Sequence, residues 1–78
     1  MQEFRIRLQS VLDVQEFVAL ATARPFAVSI RDENNQVNGK SFMEMFCLDL
    51  RRPVQVVMDC SEEEFARFRS DARKFLVK

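Results

Sequence analysis

The sequence predicts an α+β fold, a two-layer sandwich in which a four-stranded antiparallel sheet carries three helices on one face. Segments in which apolar and polar residues alternate, as in half-buried strands, are interleaved with segments in which apolar residues recur at helical spacing. Such alternation is typical of antiparallel sheets with one solvated face. The predicted order is βαββαβα in a single domain over residues 1–78. A ferredoxin-like βαββαβ unit with an added helix is the alternative, and the short middle helix disfavours it.

The first half of the chain supplies three strands and a helix. The first strand spans residues 3–9 and buries Phe4, Ile6 and Leu8. The first helix runs from Ser10 to about Ala23, and Ser10 with Asp13 resembles a capping pair. Pro25 cannot continue a helix, so a second strand follows it. The inward residues of that strand are Phe26, Val28 and Ile30. Residues 33–36 form the polar tip of a hairpin that returns through the third strand.

The second half contains two more helices around a fourth strand. Gly39 supplies backbone freedom before Ser41, and Ser41-x-x-Glu44 is a capping box that opens a helix to about Leu50. Arg51 and Arg52 suit the negative end of this helix, and Pro53 ends it. The fourth strand buries Val54, Val56 and Met58. The last helix begins with a capping box at Ser61 and Glu64; its apolar stripe is Phe65, Phe68, Ala72, Phe75 and Leu76, and its cationic end is Arg73, Lys74 and Lys78.

The charge balance excludes several classes of partner. Twelve basic residues balance twelve acidic ones, whereas nucleic acids and anionic membranes are bound by basic surfaces. Arg5, Arg7 and Arg31 are expected to be solvated residues on the open face of the sheet. No apolar run approaches the ~20 residues that span a bilayer. The N-terminus alternates charged and apolar residues and therefore lacks the apolar core of a signal peptide. We expect a cytoplasmic protein that binds neither nucleic acid nor membrane.

The residues that carry most enzyme chemistry are scarce. The chain has no histidine, which removes the commonest general base at neutral pH, and it has one glycine, too few for a phosphate-binding loop. Cys47 and Cys60 do not have the paired spacing of a zinc site and are expected to be partly buried free thiols. The sequence therefore predicts no metal, no cofactor and no enzymatic activity. Phosphotransfer through a serine is the least favoured alternative.

Several segments resemble HPr, the histidine-containing phosphocarrier of the bacterial phosphotransferase system. QEFVALA in the first helix is similar to the family's AQFVKEA, and VNGKSFMEMFCLDL resembles its turn, Lys-Ser pair and second helix. The resemblance covers nearly the whole chain without gaps. It implies an HPr-like open-faced sandwich and a bacterial, cytoplasmic protein related to sugar transport and its regulation.

The resemblance fails at the family's active site. The position of the phosphoryl-accepting histidine is occupied by Ser10, that of the arginine by Leu12 and that of the proline by Asp13. A serine ester is too stable to relay a phosphoryl group, Leu12 supplies no cation, and Asp13 would repel an anion. Histidyl phosphotransfer is therefore excluded, no catalytic residue is predicted, and Ser10 is expected to be a helix N-cap.

The resemblance leaves a docking surface and a regulatory position. If Met45 and Leu48 face the sheet, the residues of the second helix that point outward are Phe42, Met43 and Phe46. In the family they join Val11 and Leu12 to dock partner proteins, which here would be a kinase, a transcription regulator or a metabolic enzyme. Ser41 falls on the family's regulatory serine, as it does in the family's catabolite-repression paralogue, which also lacks the histidine. Two alternatives stay open: Ser41 is only a cap, and the apolar residues form a homodimer interface.

Overall fold

The predicted sandwich is present in a computed structural model of the chain, which describes residues 1–77. Four strands form one sheet in the order β1-β4-β2-β3, with every pair of neighbours antiparallel. The elements, in chain order, are β1 (Gln2–Ile6), α1 (Val11–Thr22), β2 (Val28–Arg31), β3 (Gln36–Asn38), α2 (Phe42–Met45), β4 (Val54–Met58), α3 (Glu62–Asp71) and a 3₁₀ turn (Arg73–Phe75). The prediction of an α+β sandwich with three helices is confirmed. Lys78, predicted at the end of the last helix, lies outside the described residues.

The core lies between the sheet and the helices. Inward residues of the strands, including Ile6, Ile30 and Val56, are fully buried. Four phenylalanine rings meet over them, with centroids 5.5 to 6.2 Å apart; they belong to Phe4, Phe17, Phe68 and Phe75. A core of this aromatic density stabilises a chain of only 78 residues without a disulfide.

The solvated face of the sheet carries polar residues in a regular pattern. Strand register places Arg5 and Arg31 on either side of Gln55. Arg31 donates to Gln55 Oε1 across 3.2 Å and pairs with Glu3, and Gln55 in turn donates to Glu3. Arg5, Arg7 and Arg31 are exposed, as predicted for solvated residues.

The second helix is much shorter than predicted: it ends at Met45 rather than near Leu50. The next amides bond to carbonyls only three residues back, as in the donation from Cys47 N–H to Glu44 O. The amide of Asp49 then donates to the Asp32 carboxylate across 2.9 Å, which holds the chain away from a helical path. Arg51 and Arg52 therefore do not lie at a helix end. They pair with Asp49 and Glu33 instead.

Gly39 is needed for a reason other than the predicted backbone freedom. Its φ is not positive, and its amide donates to the carbonyl of Val28 across 2.8 Å. A Cβ at this position would lie 2.9 Å from Val28 Cγ1 and 3.1 Å from Ile30 Cγ1. Residue 39 must lack a side chain because the backbone passes directly over β2.

The second strand and the C-terminal segment also differ from the prediction in detail. The predicted second strand begins at Val28 rather than Pro25, and Phe26 is half-buried. The last helix ends at Asp71, and Leu76 leaves its apolar stripe to form a bridge with Ile6. Leu76 and Val77 therefore lie beside β1, where Val77 N–H donates to Arg5 O.

Candidate functional site

Four large apolar side chains are exposed at the start of α1, within α2 and directly after α2. The solvent-accessible fractions are 56% for Val11, 60% for Leu12, 77% for Met43 and 49% for Phe46. Met1 is the other large apolar residue exposed to this degree within residues 1–77. We call these four residues the apolar surface. Exposed apolar groups that lie together on a small protein commonly mark an interaction site.

A depression connects the two parts of the apolar surface. It has a volume of about 790 Å³, and both Val11 and Phe46 line it. Its apolar lining is completed by Leu8, Val14, Leu48 and Leu50, and Arg7 and Arg51 also contribute to its wall. The structure thus brings the start of α1 and the end of α2 to one concave site. Leu12 and Met43 are exposed on the same helices but do not line the depression.

The prediction that Phe42 points outward is wrong. It is half-buried and packs against the core, and its ring meets Phe46 edge to face with a centroid separation of 5.1 Å. Met45 and Leu48 are buried, as the helical spacing predicted. Because α2 has only one turn, Phe42 can reach the core from its first position. The Phe42 ring therefore packs against the Phe46 ring and adds little to the exposed apolar area.

The start of α1 is occupied by its own cap. Ser10 Oγ accepts a hydrogen bond from Asp13 N–H across 3.1 Å, and Asp13 Oδ2 accepts one from Gln9 N–H across 3.0 Å. Ser10 thus occupies the N-cap position. The Asp13 carboxylate places a negative charge in the first turn of α1, where it would repel an anion, and it already accepts from Gln9 N–H.

The surroundings of Ser41 differ from the predicted capping box. Ser41 Oγ accepts from Glu44 N–H across 3.3 Å, which is the expected half of the motif. The Glu44 carboxylate, however, accepts from Asn38 N–H across 3.2 Å and does not return to Ser41. Ser41 N–H donates to Asn38 O across 3.0 Å. These hydrogen bonds connect the start of α2 to the end of β3, which is one of the two outer strands of the sheet. The box at Ser61 and Glu64, in contrast, has both halves and is confirmed.

The cation beside Ser41 is already engaged. Lys40 Nζ donates to the carbonyl oxygen of Arg24 across 2.8 Å, and Lys40 N–H donates to Asn38 Oδ1 across 2.9 Å. Lys40 therefore links the turn before α2 to the segment that follows α1 through hydrogen bonds.

The two cysteines are free thiols, as predicted, but only one is partly buried. Cys47 is exposed at the end of α2, whereas Cys60 is half-buried. Burial raises the pKa of the Cys60 thiol, and the carboxylates of Glu64 and Asp59 raise it further. A thiol of raised pKa has less thiolate and is a poorer nucleophile.

Sequence reasoning missed Asp32. Its Oδ1 accepts from Asn34 N–H and Asn35 N–H across 2.8 and 2.7 Å, while Oδ2 accepts from Asp49 N–H. These three bonds, that from Asp49 first, hold the pKa of Asp32 below its usual range. The Arg51 side chain and backbone likewise lower the pKa of Asp49. An Asp-x-Asn-Asn turn is the local signal for the first two bonds. Nothing local indicates the third.

Within residues 1–77, the structure has no helix that combines the length and the apolar character needed to cross a bilayer.

The architecture matches a known structure. The crystal structure of HPr-C-His from Thermoanaerobacter tengcongensis superimposes with a TM-score of 0.75, covering 95% of this chain and 93% of that one. The fold is HPr-like. Sequence identity over the match is 19%, so the likeness concerns the fold. Comparison with known protein families and with curated proteins found no match.

Proposed function

We propose that this chain is an HPr-like protein-binding module of the sugar phosphotransferase type, which docks a protein partner through the apolar surface and does not transfer phosphoryl groups through histidine. One observation carries the proposal: on a fold that is HPr-like, Val11, Leu12, Met43 and Phe46 are exposed, and a depression lined by Val11 and Phe46 connects the start of α1 with the end of α2. The proposal assigns the module to the bacterial cytoplasm, as the HPr resemblance implies. A regulatory module of this kind needs a surface and no catalytic groups.

The loss of histidyl transfer follows from chemistry. The 78 residues contain no imidazole, so a labile phosphoramidate cannot form on them. At the position where the family's chemistry occurs, Ser10 Oγ accepts from Asp13 N–H and the Asp13 carboxylate accepts from Gln9 N–H. In this proposal, the chain keeps the family's recognition of protein partners and lacks its histidyl phosphotransfer.

The proposal makes Ser41 the position at which phosphorylation switches docking. Ser41 caps α2 two residues before Met43 and five residues before Phe46, so two added negative charges would alter the adjacent apolar surface. The competing assignment, a helix cap alone, is supported by the Glu44 N–H bond. Intact mass after incubation with HPr kinase and ATP separates the two. One phosphate on the native chain that is absent from Ser41→Ala supports the switch, and an unmodified native chain leaves Ser41 as a cap.

Docking itself is tested by binding measurements on charge variants. Leu12→Glu and Met43→Glu place a carboxylate on the apolar surface at positions that carry little core packing. Arg5→Glu on the open face of the sheet is the matched control. We expect both apolar variants to weaken binding to purified HPr kinase by tenfold or more, roughly the loss of one well-packed contact, and the control to bind as the native chain does. Equal affinities for all four chains would refute docking through this surface.

A homodimer is the second candidate, because the same exposed residues could be covered by another copy. Sedimentation equilibrium from micromolar to millimolar concentration distinguishes the two. A dimer that Met43→Glu dissociates would assign the apolar surface to self-association. A native chain that stays monomeric over this range excludes it.

A further inference from the structure

We infer that a phosphate on Ser41 and the hydrogen bond from Asn38 N–H to the Glu44 carboxylate exclude each other, so that Glu44 transmits the modification to the edge of the sheet. The inference rests on the proposed function, because it takes Ser41 to be the switched position. It adds the residue through which the switch acts and the backbone group that is released.

Asn38 is the residue at which β3 and α2 meet. It ends β3, one of the two outer strands, and pairs with Ser29 of β2. Three of its polar groups have partners: the N–H donates to Glu44 Oε1, the carbonyl accepts from Ser41 N–H, and Oδ1 accepts from Lys40 N–H. A strand edge normally leaves such groups open to another strand. Here the start of α2 occupies them.

Geometry places the two anions against each other. Ser41 Oγ accepts from Glu44 N–H, so a phosphate on Oγ would stand at the first turn of α2, where the Glu44 side chain begins. The Glu44 carboxylate accepts from Asn38 N–H, and the carbonyl of Asn38 in turn accepts from Ser41 N–H across 3.0 Å. The phosphate dianion and the carboxylate would thus share one turn, where like charges repel strongly.

The nearby cation does not relieve this repulsion. Lys40 Nζ is held by the carbonyl of Arg24, on the far side of the turn. The phosphate also has three acceptor oxygens that compete for the amides at the start of α2. The Glu44 side chain is exposed and can rotate into water at little cost. Glu44 is therefore the group that moves, and Asn38 N–H loses its acceptor.

The test is amide hydrogen exchange at Asn38 in a chain that carries phosphoserine at position 41 from synthesis. We expect Asn38 to exchange about tenfold faster than in the native chain, since its N–H becomes open to solvent, while Val56 in the central strand β4 keeps its protection. Glu44→Ala in the unmodified chain should accelerate Asn38 to a similar extent. Phosphoserine at position 61 is the matched control: Glu64 returns to Ser61 itself and holds no strand amide, so Asn38 should not change.

Unchanged exchange at Asn38 in the phosphoserine-41 chain would overturn the inference. Equal acceleration of Val56 would also overturn it, because the chain would then open as a whole rather than at one edge. Neither result bears on docking, since no kinase or partner is present in the sample. Conversely, a native chain that HPr kinase does not modify would refute the switch in the proposed function while leaving the exchange result valid.

Discussion

The carboxylate of Asp32 accepts a hydrogen bond from the backbone N–H of Asp49, joining the β2–β3 turn to the segment that follows α2. This contact holds the segment after α2 in place, beyond the i→i−3 bonds that succeed the helix at Phe46, Cys47 and Leu48. Asp49 also lines the depression beside α1, so the contact holds one part of its wall.

Removal of the Asp32 side chain should destabilise the fold in a pH-dependent manner. Because the folded-state pKa of Asp32 is lowered, its contribution is fully present above the unfolded value of about 3.9 and is lost as pH falls through the folded-state value. We expect the urea midpoint of Asp32→Ala to lie below that of the native chain at pH 7, and the gap to close as pH falls through the lowered folded-state pKa of Asp32. Asn34→Ala, which removes no charge, is the control. A gap that is constant with pH would contradict the role given to this carboxylate.

Substitution of Gly39 by alanine tests the close approach of backbone to β2. The new Cβ would lie 2.9 Å from Val28 Cγ1, and the backbone carbonyl of Val28 is only 3.1 Å away. We expect a loss of about 1–3 kcal/mol in the free energy of unfolding, which is typical of overpacking. If backbone freedom were the only function of this glycine, alanine would be tolerated, since φ at residue 39 is not positive.

Two phenylalanines should respond very differently to the same substitution. Phe68 is fully buried and contacts the rings of Phe4 and Phe17, so Phe68→Ala should cost about 3–5 kcal/mol. Phe46 is half-exposed, so Phe46→Ala should cost less than about 1.5 kcal/mol while still weakening partner binding. Chemical denaturation of both variants checks this. A Phe46→Ala chain as unstable as Phe68→Ala would place Phe46 in the core.

The native chain should accept no phosphoryl group from phosphoenolpyruvate through the general enzyme of the phosphotransferase system. Ser10→His is expected to remain unlabelled as well, because Leu12 supplies no cation and Asp13 keeps a negative charge at the start of α1. Intact mass at alkaline pH, where phosphohistidine survives, is the measurement. A labelled native chain would revive transfer through serine and refute the binding-module proposal.

Local patterns predicted much of this fold. Alternation in residues 3–9 and helical spacing around Phe17 indicated strand and helix, although the strand spans Gln2–Ile6 and ends three residues earlier than predicted. The caps at Ser10 and Ser61 are present. These features depend on neighbours within about four residues, so the sequence displays them directly.

The differences arise where distant residues meet. The segment after α2 is held by Asp32, the need for Gly39 comes from Val28, and Glu44 turns towards Asn38 rather than completing its box. Phe42 was expected on the surface because helical spacing says which side a residue faces, but not how far a one-turn helix tilts into the core. The exposure of Met43 and Phe46 was predictable from the same spacing, whereas Val11 and Leu12 were placed on this surface by the HPr resemblance.

Docking through the apolar surface is tested most directly by mapping backbone amide chemical shifts of the labelled chain during titration with unlabelled, purified HPr kinase. We predict that the shifts that change cluster at Val11, Leu12, Met43 and Phe46, and that Leu12→Glu abolishes the changes. Changes confined to the open face of the sheet, around Arg5 and Gln55, or no change at millimolar kinase, would contradict the docking proposal.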